Sequence, residues 1–131
     1  MKVVFDTNIY ILAFVFVGGS AEKAIQKILN DEDSLIISKP IVEETLRILA
    51  EKFERNIEEL SRIAIFLSEL ATTVVPKERL SILSDEPDNR ILECAVEGGA
   101  GKIVTGDKAM LNLGMYESIE IVSLRSYLSH N

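Results

Sequence analysis

This sequence predicts a three-layer α/β/α fold with a central parallel sheet of four to five strands. Short β-branched runs, among them Val3-Val4-Phe5, Leu35-Ile36-Ile37 and Ile103-Val104-Thr105, alternate with longer stretches of helical apolar spacing. Such alternation is the pattern of parallel strands joined by crossover helices that cover both faces of a sheet. The 131 residues suit one domain spanning residues 1–131, and an apolar content of 47% can fill a real core. Acidic residues also recur just past the apolar runs, at the edge where an open parallel sheet binds its ligands.

Taken in order, Lys2 to Phe5 reads as a buried strand. Thr7 or Asn8 can cap a helix over Ile9 to Val17, which Gly18-Gly19 ends. Ser20 opens a second helix with Ala21, Ala24, Ile25, Ile28 and Leu29 on one face. Asn30 to Asp33 is a polar turn before the second strand, Leu35 to Ile37. Ser38-Lys39-Pro40 begins a helix with a serine cap and a proline in the first turn; Ile41, Thr45, Ile48, Leu49 and Phe53 face inward. Asn56-Ile57-Glu58-Glu59 has the spacing of a capping box for the next helix, which carries Leu60, Ile63, Ala64, Leu67 and Leu70.

Thr72 to Val75 is a third strand candidate, ended by Pro76. Pro87 to Val96 is a helix with Ile91, Leu92 and Ala95 inward, stopped by Gly98-Gly99-Ala100-Gly101. Lys102 to Thr105 is the fourth strand, and Asp107 to Leu113 a short helix. Ile119 to Val122 is the fifth strand candidate, and Leu124 to Leu128 a closing helix. Met110 and Met115 read as core filler.

Four acids carry the functional signal: Asp6, Glu44, Asp88 and Asp107. Each has an ordinary explanation. Asp6 can cap the first helix, Asp107 the short helix after it, and Asp85 with Asp88 the helix between. Glu44 lies three residues after Ile41 and four before Ile48, so it falls on the inward face that Glu43 misses; a salt bridge to Arg47 or Lys108 would account for it. Capping therefore stays open for each acid singly. Together, four carboxylates at corresponding places offer hard oxygen ligands suited to Mg²⁺ or Mn²⁺.

Other chemistries have little support. The sole histidine, His130, is penultimate, which disfavours a His-based triad or zinc site. Cys94 sits among apolar helical residues and reads as packing; a lone cysteine fits a reducing cytoplasm. The Gly98–Gly101 run closes a helix instead of opening one, so it is a poor phosphate loop. No apolar run reaches the length of a membrane span, and an acid at position 6 argues against a signal peptide. The net charge of −7 disfavours a general nucleic-acid coat. Two bound divalent cations would offset part of it and let phosphate approach.

With their flanking residues, the acids resemble the PIN domain, the ribonuclease fold of many VapC-type toxins. Val3-Val4-Phe5-Asp6-Thr7-Asn8 is similar to the family's opening strand and Asp-Thr-Asn. Ser38 to Glu44 is similar to its serine-led helix with the second acid, and the register favours Glu44 over Glu43. Asp88 to Ala95 is similar to its third-acid helix, and Ile103-Val104-Thr105-Gly106-Asp107 to its last motif. The four pieces in this order cover nearly the whole chain, and the Thr-Gly-Asp-Lys version looks most like a toxin–antitoxin branch.

The resemblance implies a Rossmann-like sheet without antiparallel pairs and hydrolysis of RNA phosphodiester bonds with Mg²⁺ or Mn²⁺. It also implies an antitoxin protein as partner and a homodimer in the cytoplasm, with Ile9–Val17 and Ile57–Leu70 as candidate surfaces. Asp6, Glu44, Asp88 and Asp107 carry over as metal ligands and catalytic acids. Asn8 and Thr105 carry over as groups that orient water or the ligands, and Asp85 is an extra acid. Two other readings compete: a PIN scaffold that binds RNA or a protein without cutting, and a receiver-like phosphoacceptor. The latter wants a lysine at a later strand end, whereas Lys102 begins its strand.

Overall fold

Strand β1 (Lys2–Phe5) runs through the middle of the sheet, bonded in parallel to β2 (Ser34–Ser38) on one side and β4 (Lys102–Val104) on the other. The computed structural model describes residues 1–129, so His130 lies outside the described residues. Beyond β2 lies β3 (Ala71–Val74), and beyond β4 lie β6 (Ile119–Val122) and then β5 (Met115–Tyr116). The order is β3-β2-β1-β4-β6-β5. The chain winds outward one way from β1 to β3, then returns to β1's other flank with β4. The order therefore reverses between β1 and β4.

Helices α1 (Thr7–Val15), α2 (Ser20–Leu29), α3 (Lys39–Phe53), α4 (Ile57–Leu70), α5 (Glu86–Gly98), α6 (Lys108–Leu113) and α7 (Leu124–Ser129) complete the fold. Helix α5 packs across β1, β2, β3 and β4, and α3 packs on β2 and against α1, α4 and α5. Phe5, Ile9, Tyr10, Ile37, Leu49, Leu67, Leu92 and Ile103 are fully buried between these layers. No single described helix is long and apolar enough to cross a membrane.

Local sequence explains most boundaries. The capping box is present: Asn56 Oδ1 accepts from the Glu59 N–H at 2.9 Å, and Glu59 Oε1 accepts from the Asn56 N–H at 3.1 Å. Gly99 ends α5 in the left-handed region at φ 64°. Gly98 is required for a different reason. A Cβ there would stand 2.5 Å from Ile36 Cγ2, so α5 approaches β2 only because the side chain is missing.

The expectation of four to five strands, all parallel, needs correction: the sheet has six, and β5 pairs antiparallel to β6. Two residues make up β5, too short to leave a sequence period, and Gly114 at φ 72° turns the chain into it. Met115 is 56% exposed on this edge and is not core, whereas Met110 is fully buried. Helix α1 starts at Thr7 and ends at Val15, not Ile9 to Val17, and β3 begins at Ala71. Phe53, expected inward, is 38% exposed at the end of α3. Ser38 occupies the cap position of α3 but makes no capping bond; its hydroxyl is buried without a partner.

Candidate active site

The carboxyl ends of β1 and β4 meet at the point where strand order reverses, the place an open α/β sheet offers a crevice. The Asp6 N–H donates to the Val104 carbonyl at 2.9 Å, which locks the two strand ends together. Thr105, fully buried, then donates its hydroxyl to Asp6 Oδ2 at 2.6 Å and accepts from the Asp107 N–H at 3.0 Å. One threonine thus sets both aspartates. Asp107 uses Oδ2 to cap α6 through the Met110 N–H at 3.0 Å, the ordinary role foreseen for it. Asp6 occupies the cap position of α1 but makes no capping bond with its side chain. The Thr105 hydroxyl holds its carboxylate, and the Thr7 and Asn8 N–H groups lower its pKa, so capping is not the whole account of Asp6.

The third aspartate comes from α5. Asp88 is buried in the first turn, and its Oδ2 has no hydrogen-bond partner. A buried carboxylate oxygen left unpaired is costly unless the group is neutral or bound to a cation. Burial, then the negative charges of Asp107, Asp6 and Asp85, push Asp88 up to about 7. Burial also raises Asp6, with Asp107's charge adding to it and the Thr105 hydrogen bond opposing it. Asp6, Asp88 and Asp107 hence lie in one another's field. Asp85 is exposed at the start of α5, contributes to that field, and makes no capping bond.

Glu44 stands apart. Its Oε1 lies 2.6 Å from Arg47 Nη2, and Arg47 also pairs with Glu51 at 3.1 Å. The Arg47 ion pair considered from the sequence is therefore formed, on a half-exposed flank instead of the interior. Glu43 is exposed, as the helical register requires. Glu44 and Arg47 form one wall of a cleft of about 340 Å³ that Thr7, Pro87 and Arg90 also line. Thr7 follows Asp6 and Pro87 precedes Asp88, so the cleft borders the aspartates. Asn8 is exposed beside them.

The donor set fits a hard divalent cation in chemistry: buried carboxylates with raised pKa values, one oxygen orphaned, and no nitrogen or sulfur ligand to favour softer metals. Among the described residues no three His, Cys, Asp or Glu side chains already converge on one metal-sized point. Mg²⁺ does not demand that, because it is commonly held by one or two carboxylates and keeps several waters.

Sequence reasoning passed over three residues of α5. Asn89 is fully buried; its Oδ1 accepts from the N–H groups of Ile82 and Leu83 at 3.0 and 2.8 Å, and its Nδ2 donates to the Leu83 carbonyl. Buried Glu93 accepts from the Leu80 N–H at 2.7 Å and pairs with Arg90 Nε at 2.9 Å. The available signal was polar residues at positions 89, 90 and 93, interrupting an otherwise buried helix face.

A family model described as PIN domain matches residues 2–109. The chain is 29% identical over 117 residues to the uncharacterized protein MJ1680 of Methanocaldococcus jannaschii, covering 86% of this chain and 75% of that protein. Its fold is similar to the crystal structure of VapBC2 from Rickettsia felis bound to a DNA fragment from their promoter. There the TM-score is 0.67 at 17% identity, over 94% of this chain and 98% of the other. It is similar also to VapBC-1 from nontypeable Haemophilus influenzae, with a TM-score of 0.65 at 18% identity, over 95% and 99% of the two chains.

Proposed function

This chain belongs to the PIN domain family, and we propose that it is a divalent-metal-dependent ribonuclease, the toxin of a VapBC-type toxin–antitoxin pair. One observation carries the reading: Asp88 Oδ2 is buried without a partner amid the charges of Asp6 and Asp107, at the sheet's switch point. Asp6, Asp88 and Asp107 would hold Mg²⁺ or Mn²⁺, and Glu44 would join them on leaving Arg47. The bound cation supplies Lewis-acid polarisation and neutralises charge that develops on a phosphodiester.

The chain's own groups do the positioning. Thr105 keeps Asp6 oriented by the hydroxyl bond across β1 and β4. Asn8, exposed next to Asp6 in the chain, would meet the attacking water or the substrate. The cleft lined by Thr7 and Pro87, the chain neighbours of Asp6 and Asp88, would take the substrate. An RNA strand is the proposed substrate and an antitoxin protein the proposed partner, with a homodimer in the cytoplasm as the working state.

Glu44 favours a second reading, since its carboxylate is spent on Arg47: a PIN scaffold that binds RNA or a protein without cutting. Labelled RNA incubated with Mg²⁺, with EDTA, and with Asp6→Asn protein separates them. Metal-dependent cutting that vanishes in EDTA and in Asp6→Asn supports the nuclease. Cutting that persists in Asp6→Asn rejects the assigned site, and Mn²⁺ that fails to bind in calorimetry turns the case to the scaffold.

A further inference from the structure

Residues 75–85 connect β3 to α5 without helix or strand, yet α5 side chains hold them at Lys77, Leu80, Ile82 and Leu83. The Lys77 N–H donates to Glu97 Oε1 at 3.0 Å, the Leu80 N–H to Glu93, and the Ile82 and Leu83 N–H groups to Asn89. Arg90 donates to the Leu80 carbonyl at 3.2 Å. Every anchor is a side chain of α5, the helix that carries Asp88. These bonds fix the connection to the helix that carries Asp88.

The loop presents cations. Lys77 and Arg79 are exposed on either side of an exposed Glu78, and with Lys39 at the start of α3 they line a groove of about 390 Å³ that Glu78 and the Arg90-paired Glu93 also line. None of the three forms a salt bridge among the described residues, in a chain of net charge −7. The groove adjoins the cleft that Glu44 and Arg47 line. Pro40 lines both, and the Arg90–Glu93 pair spans them, with Arg90 in the cleft and Glu93 in the groove.

We propose that Lys39, Lys77 and Arg79 form a second binding site, which holds the sugar-phosphate backbone of single-stranded RNA on its way to the acid site. This rests on the ribonuclease reading and adds where the strand lies. Phosphates beyond the cut site meet unpaired cations on a pre-ordered loop, so little ordering entropy is lost on binding. An acidic chain thereby attracts a polyanion locally while its remaining surface repels it.

The test is fluorescence anisotropy of a labelled single-stranded RNA 12-mer in EDTA, where the strand binds but is not cut, across a salt series. Lys77→Glu/Arg79→Glu, Lys77→Gln/Arg79→Gln and Lys39→Glu are compared with the charge-matched Lys23→Glu/Arg125→Glu, neither residue of which lines the groove. The groove variants should weaken binding about tenfold or more. Each lost contact should flatten the slope of log K against log salt by about 0.7. The control should bind as wild type does.

Equal loss in the control and the groove variants, unchanged slopes, or no RNA binding by wild type overturns the proposal. So does competition by polyglutamate without RNA binding, which points to an acidic peptide. Cleavage of a dinucleotide, too short to reach the groove, separates this idea from the one beneath it. Wild type and Lys77→Gln/Arg79→Gln should cut it equally. If wild type cuts neither substrate, the nuclease reading fails; if it cuts both and the anisotropy is flat, only the groove fails.

Discussion

Thr105 Oγ1 donates to Asp6 Oδ2 at 2.6 Å, joining the ends of two strands whose residues are 99 positions apart. The same oxygen accepts from the Asp107 N–H. Thr105→Val keeps the shape and removes both bonds. It should cost about 1–3 kcal/mol in urea unfolding, because the hydroxyl serves a buried carboxylate and a partly buried N–H. It should also weaken Mn²⁺ binding by about 10- to 100-fold, the usual effect of losing a group that orients a ligand. Thr105→Ser should recover most of both. A Val variant as stable and as tight as wild type would sink the positioning role.

Asp88 predicts a pH dependence. Its pKa is about 7 when folded and near 3.8 when unfolded. Between those values the folded state holds the extra proton. The stabilisation is therefore complete below pH 3.8 and is lost as pH rises through 7. Asp6 shifts the same way. Metal-free protein should melt at a lower temperature at pH 8 than at pH 5, with Asp88 accounting for at most about 3 kcal/mol over that window. Asp88→Asn should flatten that dependence and raise stability at pH 8. Mn²⁺ should restore the wild type at pH 8 and do little for Asp88→Asn.

The acids should not contribute equally to cation binding. Asp6→Asn and Asp88→Asn remove buried oxygens and should weaken Mn²⁺ by at least about 100-fold in calorimetry. Glu44→Gln should cost less, because Glu44 begins in an ion pair with Arg47. Arg47→Ala should change stability by under about 1 kcal/mol, as exposed pairs do, and should tighten Mn²⁺ by freeing Glu44. Equal losses at all three acids would contradict this ordering.

Gly98→Ala offers a test of packing with no bearing on chemistry. The new methyl would press on Ile36 Cγ2 in the core. Thermal or urea unfolding should show a loss of about 1–3 kcal/mol. Combining it with Ile36→Ala, which removes the opposing Cγ2, should cost less than the sum of the two single changes.

The buried strands β1, β2 and β4 and the four acids were legible as local patterns, because a buried strand must be continuously apolar and its end must turn polar. The Asn56–Glu59 capping box was legible for the same reason: its partners lie three residues apart. The antiparallel β5 was not, since two residues carry no period. Nor was the loss of Ser38 as a cap, which follows from its burial under neighbouring layers.

By itself the sequence determined the α/β alternation and the position of each acid along the chain, both of which depend on period and neighbours. Only the tertiary structure decided which acids face one another. It sets Asp6, Asp88 and Asp107 within one another's electrostatic reach and turns Glu44 to Arg47. Field and burial depend on strand order, and the reversal between β1 and β4 arises from residues far apart in the chain. The same is true of the clamp from α5 to residues 77–83, where a helix face spends Asn89, Arg90, Glu93 and Glu97 on holding a loop.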